Sequence, residues 1–379
     1  MSPSPWLLIP AAILLLLLVF QLRGRTRSGQ QKKLSSLYFK GLNYLLNEQP
    51  DKAIDTFIQV LKADAETVEL HLALGNLYRR KGNIERATRI HQSLIVRSDL
   101  DRSQRANALY ELGQDYYKAG LLDRAENLFI EFINLEPKHT QALKLLISIY
   151  EQEKEWSKAA GIAEKLVNTG HGEFNKNLSH YYCELAQNKI DSHLGKTAVP
   201  FLKKALAADK KCVRAYDLLA REAVQRDSIK NAQKHWKKIH KLNPAYFDEI
   251  VGHIVDVYSD KDMTSTLDRF IQRLQQNPPG LNAVLAVADW HQNKGQTEQA
   301  EDIKLRWLKA HPGSTTIAAM TRQHDLDLQN KRGESLNGAL LSLLEEFSEY
   351  RCVQCGYQCN IHYWQCPGCH QWNTIQRRN

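Results

Sequence analysis

One set of marks, returning every 34 residues, constrains this chain more than any other feature. Leu74-Gly75, Tyr78 and Ala87 follow Gly41, Tyr44 and Ala53 at that interval. The set recurs at Leu112-Gly113, Tyr116, Ala125, Phe129 and Pro137, after a four-residue insertion near Arg97–Asp101. Two helices per period account for the residue types. Glycine and alanine let antiparallel helices approach closely, and the aromatics fill the groove between one pair and the next. Proline closes each unit because it cannot continue a helix. No single pair can bury its own apolar face, so the pairs must stack.

This is the spacing of tetratricopeptide repeats. Tyr150 and Ala159 continue it; Thr169–Asn177, with Gly170 and Gly172, then interrupts it as an expected loop. The frame resumes at Ala198 and holds through Ala232 and Ala300, with Pro244, Pro278 and Pro312 each 34 apart. Thr266 stands where one alanine is missing, while Phe270 keeps phase. A bundle with accidental periodicity would not repeat independent marks over so many segments. The expectation is therefore an all-α solenoid over residues 34–349. Eight units reach about residue 314, and a degenerate ninth pair at about 315–349 ends in an amphipathic helix, Leu336–Phe347. The interruption near 169–177 is expected to divide the array in two. Such arrays bind peptide or protein segments along the wall formed by the first helix of each pair. Asn76 and Arg79, with Gln114 and Tyr117 one unit on, are the candidate partner-facing residues, set against the plainer reading of solvated helix positions.

The formal net charge of +9 is located at the two ends. Residues 1–47 carry Arg23, Arg25, Arg27, Lys32, Lys33 and Lys40 without an acid; residues 351–379 carry Arg351, Arg377 and Arg378 without one. The remainder balances, so the basic character describes two ends and no nucleic-acid partner is implied. Trp6–Leu22 is almost wholly apolar, with leucine unbroken from Leu14 to Leu18. As a helix it would span roughly 25 Å, the short end for a bilayer. The competing reading is a cleaved signal peptide, but no positive charge precedes the run and no small-x-small site follows it. The basic linker 23–33 comes after the run, which puts the body on the cytoplasmic side of a single-span anchor, 1–22.

Five of the seven cysteines fall within the last 28 residues. Cys352-x2-Cys355-Gly356 and Cys366-Pro367-Gly368-Cys369 form two knuckles, and four thiolates satisfy tetrahedral coordination of zinc or iron. With no free coordination position, such a site is structural or electron-carrying rather than hydrolytic. A module this short, 350–379, needs its ion to fold. Cys359 lacks knuckle spacing and reads as a bystander, and His362 and His370 are alternative ligands only if a thiolate is replaced. Trp364 and Trp372 are expected to pack against the ribbon or the last helix, with a partner contact as the alternative. Cys183 and Cys212 read as buried repeat-helix thiols. No phosphate loop, H-E-x-x-H motif or nucleophile elbow occurs, so the expectation is a chain that is not an enzyme.

An amino-terminal span, tetratricopeptide repeats and a short rubredoxin-like ribbon together resemble the lipopolysaccharide assembly protein B family. The most specific residues are Tyr350-Arg351-Cys352-x2-Cys355-Gly356 and Tyr363-Trp364-x-Cys366-Pro367-x-Cys369-x2-Trp372. The resemblance implies an inner-membrane protein that acts with the membrane protease FtsH to degrade the deacetylase LpxC, limiting lipopolysaccharide synthesis. It also implies contact with other lipopolysaccharide-synthesis proteins, and a rubredoxin-like iron on Cys352, Cys355, Cys366 and Cys369, with zinc equally compatible with the thiolates. Two other functions fit the same residues: a scaffold for synthesis enzymes at the inner membrane, and a rubredoxin-like electron carrier.

Overall fold

The computed structural model describes residues 35–63, 67–192, 195–311 and 348–378. The apolar run Trp6–Leu22, the basic linker 23–33 and the helix expected at Leu336–Phe347 lie outside them, as does the ninth pair but for its last two residues. Among the described residues, no helix is long and apolar enough to cross a membrane.

The chain parts into two compact units, Met1–Glu153 and Lys154–Asn379. The division falls one helix before the glycine-containing stretch at 169–177. Unit 1 holds α1 (35–46), α2 (Pro50–Ala63), α3 (Val68–Arg80), α4 (Ile84–Ile95), α5 (Arg102–Lys118), α6 (Leu122–Leu135) and α7 (Thr140–Gln152). Unit 2 holds α8 (Trp156–Asn168), α9 (Asn175–Asp191), α10 (Gly195–Ala208), α11 (Val213–Gln225) and α12 (Ile229–Leu242). It continues with α13 (Pro244–Asp260), α14 (Thr264–Gln276), α15 (Leu281–Asn293) and α16 (Thr297–Ala310). A three-stranded antiparallel ribbon follows: β1 (Tyr350–Cys352), β2 (Gln358–Cys359) and β3 (Ile375–Arg377), in the order β2-β1-β3.

The 34-residue marks do the structural work their chemistry implies. Ala53, Ala87, Ala125, Ala159, Ala198, Ala232 and Ala300 are all 0% exposed, so any larger side chain there would push two helices apart. A Cβ on Gly41 would lie 2.3 Å from the Phe57 ring, and one on Gly113 would lie 2.7 Å from the Phe129 ring. Helix crossing is therefore a glycine-on-aromatic contact in both repeats. The turn inside a pair passes through the left-handed region at Gly82 and Gly120, and at Lys154, Asp227 and Asp262 where glycine is absent. The insertion near Arg97–Asp101 supplies the start of a longer α5. Asp101 accepts from the Gln104 N–H at 2.8 Å, and the Gln104 side chain accepts from the Asp101 N–H, a complete capping box.

The expected loop Thr169–Asn177 is shorter than its composition implies. Gly170 turns the chain at φ +99°, a single 3-10 turn occupies Gly172–Phe174, and α9 begins at Asn175. One core cluster of unit 2 gathers Trp236, Phe247, Val251, Ile254, Ile271 and Val287, and Trp364 of the ribbon packs against it.

Candidate metal centre and its seat on the repeats

The two knuckles are built alike. The Cys352 N–H donates to the Tyr357 carbonyl (2.7 Å), and the Gly356 N–H donates to the Cys352 carbonyl (3.0 Å). In the second knuckle the Cys366 N–H donates to Gln371 (2.9 Å), and the His370 N–H donates to Cys366 (2.9 Å). Each turn closes through a left-handed residue, Gly356 at φ +78° and His370 at φ +56°. A Cβ on Gly368 would meet Tyr357 Cβ at 3.3 Å and Cys355 Sγ at 3.4 Å, so a larger residue in the second turn would press on the first knuckle. The N–H groups of Gln354 and Cys355 point at Cys352 Sγ from 3.4 and 3.5 Å.

These turns bring Cys352, Cys355, Cys366 and Cys369 together, with all four sulfurs within 4.8 Å of one another. Sγ–Sγ separations are 3.7 Å for Cys352–Cys369 and 3.7 Å for Cys355–Cys366. A metal–sulfur distance of about 2.3 Å places tetrahedral sulfurs about 3.8 Å apart, whereas a disulfide needs about 2.05 Å. The donor set therefore fits one ion, and four thiolates accept zinc or iron alike. Burial opposes ionisation of Cys352, yet the Thr374 hydroxyl and the Cys355 and Gln354 amides outweigh it and hold the thiol at about 6. Cys359 lies on β2 outside this group, where burial raises its pKa. Neither His362 nor His370 belongs to the four-sulfur cluster.

The ribbon is seated on helices far upstream in sequence. Trp372, 8% exposed, stacks on His180 of α9 with centroids 4.7 Å apart and planes 14° from parallel. It also meets Trp156 of α8 and Tyr181 of α9 edge-on, at 6.0 and 6.1 Å. Trp364 packs on Tyr246 of α13 at 4.8 Å, and His362 lies 5.6 Å from the same ring. Arg377 reaches Asp248 at 3.7 Å. Asp248 in turn accepts from the Asn282 and Ala283 N–H groups at 3.0 and 2.8 Å, capping α15 from a neighbouring repeat. The expected packing on the ribbon itself holds in part, since Trp364 meets His362 edge-on at 4.8 Å, but the two tryptophans between them also contact α8, α9 and α13. No periodic signal could have shown this, because the partners are separated by more than a hundred residues.

His180 is 1% exposed, and neither ring nitrogen makes a full hydrogen bond. Burial, reinforced by the Arg214 charge and weakly opposed by Asn373, lowers its pKa to about 3, so Trp372 stacks on a neutral imidazole.

The four candidate partner-facing residues lie in unit 1, on a polar ladder between first helices. Arg79 donates to Asp115 (2.7 Å), to the Glu111 carbonyl (3.0 Å) and carboxylate, and to Asn76 Oδ1 (2.7 Å). Gln114 donates to Glu111 at 3.2 Å, and the Tyr117 hydroxyl lies 2.7 Å from Ser148 Oγ. Sequence position alone put these side chains on the open wall. The structure joins Asn76 to Arg79 and engages Gln114 with Glu111 and Tyr117 with Ser148, and the Arg79 side chain is only 13% exposed. The ladder reaches the interior at His91, whose Nδ1 is 2.6 Å from the other Asp115 oxygen. His91 takes the place that Phe57 and Phe129 hold in the flanking repeats, beneath Gly75. In unit 2 an open groove of about 390 Å³ runs between α13, α14 and α15, lined by Glu249, Asp256, Asp289 and Trp290 among others.

Fold and site together define a tetratricopeptide-repeat protein that carries a rubredoxin-type metal ribbon. Residues 40–98 and 110–172 match the tetratricopeptide-repeat model, and residues 350–377 match the model described as a rubredoxin metal binding domain. Lipopolysaccharide assembly protein B of Escherichia coli (strain K12) is 34% identical over 360 residues, covering 92% of each chain. The protein of that name from Haemophilus influenzae is 35% identical over 359 residues, covering 91% of this chain and 90% of the relative. The chain belongs to the lipopolysaccharide assembly protein B family. Among solved structures, a crystal structure of MamA is 26% identical over 48% of this chain and 94% of its own, with a TM-score of 0.37.

Proposed function

We propose that this chain is a membrane-held adaptor in lipopolysaccharide assembly that brings the deacetylase LpxC to the membrane protease FtsH. The observation that carries the reading is kinship along nearly the full length of both chains, through repeats and ribbon alike, with relatives named for lipopolysaccharide assembly. The apolar run Trp6–Leu22 supplies the anchor, and the basic linker 23–33 rests against anionic headgroups on the cytoplasmic side. Repeats and ribbon hold the substrate enzyme, with the acid-lined groove between α13 and α15 as an entry for a partner segment. The four-cysteine site holds one iron or zinc ion and keeps the ribbon folded. Confinement to the membrane raises effective concentration, so the chain needs no bond-making step of its own.

Deleting residues 1–22 tests this directly. The truncated protein stays folded and no longer shortens the LpxC half-life; full regulation by the truncated form would overturn the adaptor reading. The name of these relatives, which speaks of assembly, also favours a plain scaffold for synthesis enzymes. An LpxC half-life unchanged on depletion of this protein, with loss of synthesis-enzyme complexes, would select that reading.

A further inference from the structure

Two thiols outside the metal centre lie closer together than the proposed function requires. Cys183 sits mid-way along α9 and Cys212 caps the start of α11, and these helices pack side by side as first helices of neighbouring repeats. Their sulfurs are 3.8 Å apart, and the residues are 0% and 1% exposed. We propose that Cys183 and Cys212 form a reversible oxidation site, a dithiol that hydrogen peroxide closes to a disulfide linking the two repeats beneath the ribbon.

The two thiols are unequal in a way that suits this chemistry. Cys212 accepts from the Cys183 thiol, and the Ser179 hydroxyl and the Ala215 N–H at the start of α11 also favour its thiolate. Against burial and the Asp209 charge, they bring it down to about 7. Ser179 Oγ has no oxygen or nitrogen partner. Burial holds Cys183 protonated, well above an ordinary thiol. Cys212 is therefore the attacking sulfur and Cys183 the resolving one. The exposed Lys210–Lys211 turn immediately precedes Cys212, so the protein surface nearest this sulfur along the chain is electropositive. Closing the pair to a bond of about 2.05 Å is a movement of under about 2 Å, within reach of side-chain rotation and slight helix adjustment.

The steps balance. The Cys212 thiolate attacks one peroxide oxygen, the O–O bond breaks, and hydroxide leaves, taking up a proton to become water. The sulfenic acid that remains is attacked by the Cys183 sulfur; the S–O bond breaks, and the departing oxygen leaves as water with the Cys183 proton. Two thiols lose two electrons and two protons, and one peroxide becomes two waters. The helix so fixed carries His180 and Tyr181, which receive Trp372, so oxidation stiffens the seat of the ribbon.

The test uses the full chain with its metal site loaded, treated with graded hydrogen peroxide, alkylated and mapped by peptide mass. The expected result is a Cys183–Cys212 cross-linked peptide that dithiothreitol reverses, with the melting temperature of unit 2 raised by about 5–10 °C. In Cys183→Ser the cross-link is lost and Cys212 is trapped by dimedone as a sulfenic acid. The mapping of the unaltered protein stands even if that variant misfolds. Full alkylation of Cys183 and Cys212 at oxidant levels that already consume Cys359 would overturn the proposal.

Discussion

The two units treat a buried imidazole in opposite ways. In unit 1 His91 fills the space beneath Gly75, and Asp115 answers its ring nitrogen while also binding Arg79. The polar interior of that unit is closed by its own repeats. In unit 2 His180 is equally buried, makes no full hydrogen bond, and is covered by the face of Trp372 from the ribbon. One imidazole is satisfied within its own repeats; the other is covered by a module that depends on four thiolates. A buried imidazole can thus be answered by a charge network on a second helix of one unit and by a docked aromatic on a first helix of the other, with different dependence on the metal.

Loss of a metal ligand should separate the two most sharply. Cys366→Ser removes a coordination site from a module whose folding is coupled to metal binding by on the order of 10 kcal/mol. Hydrogen exchange should show β1–β3 unprotected and α9 and α13 loosened in unit 2, while α3–α6 of unit 1 keep their protection. Equal loosening of both units would break the contrast. Trp372→Ala leaves the cysteines in place and empties the seat. A cost of about 3–5 kcal/mol to the ribbon–repeat contact is expected, read as faster exchange around His180 with metal content unchanged.

Asp115→Ala is the counterpart in unit 1. It leaves the buried His91 Nδ1 without its carboxylate and takes one of the two carboxylates from Arg79, which keeps Glu111; a cost of about 3 kcal/mol is expected, read by denaturant unfolding, without altering metal content or the environment of Trp372. The smallest effect concerns pH. Burial, opposed by Arg377 and reinforced by Asp248, raises Glu249 to about 7. An acid whose folded pKa lies above its unfolded value contributes stability below about pH 4.3 that is lost as pH rises through the folded value. Glu249→Gln should therefore flatten the fall in unit 2 melting temperature between about pH 4.5 and 7 by ~2 °C.

What the sequence reveals follows from the range of the interactions. The alanines of the 34-residue beat all lie in helix contacts, because one unit's packing repeats in the next and the requirement is written several times over. The four cysteines are legible for a different reason: ligand spacing is local, and the tight turns leave glycines at Gly356 and Gly368. The seat of the ribbon is not legible, since Trp364 and Trp372 meet Tyr246 and His180 across a long separation and once only. The ladder through Arg79, Glu111 and Asp115 is half legible. Its members stand at polar first-helix positions as expected, but spacing alone cannot tell a side chain facing water from one bonded across to the next repeat.

The hollow formed by Trp156, His180, Tyr181 and Tyr246 is covered by aromatics that stand far downstream in sequence of the helices they close. A molecule whose ribbon has not yet folded around its ion leaves that apolar hollow open to solvent. Loading of four thiolates thus decides whether a newly made copy looks finished or damaged to the cell's quality control.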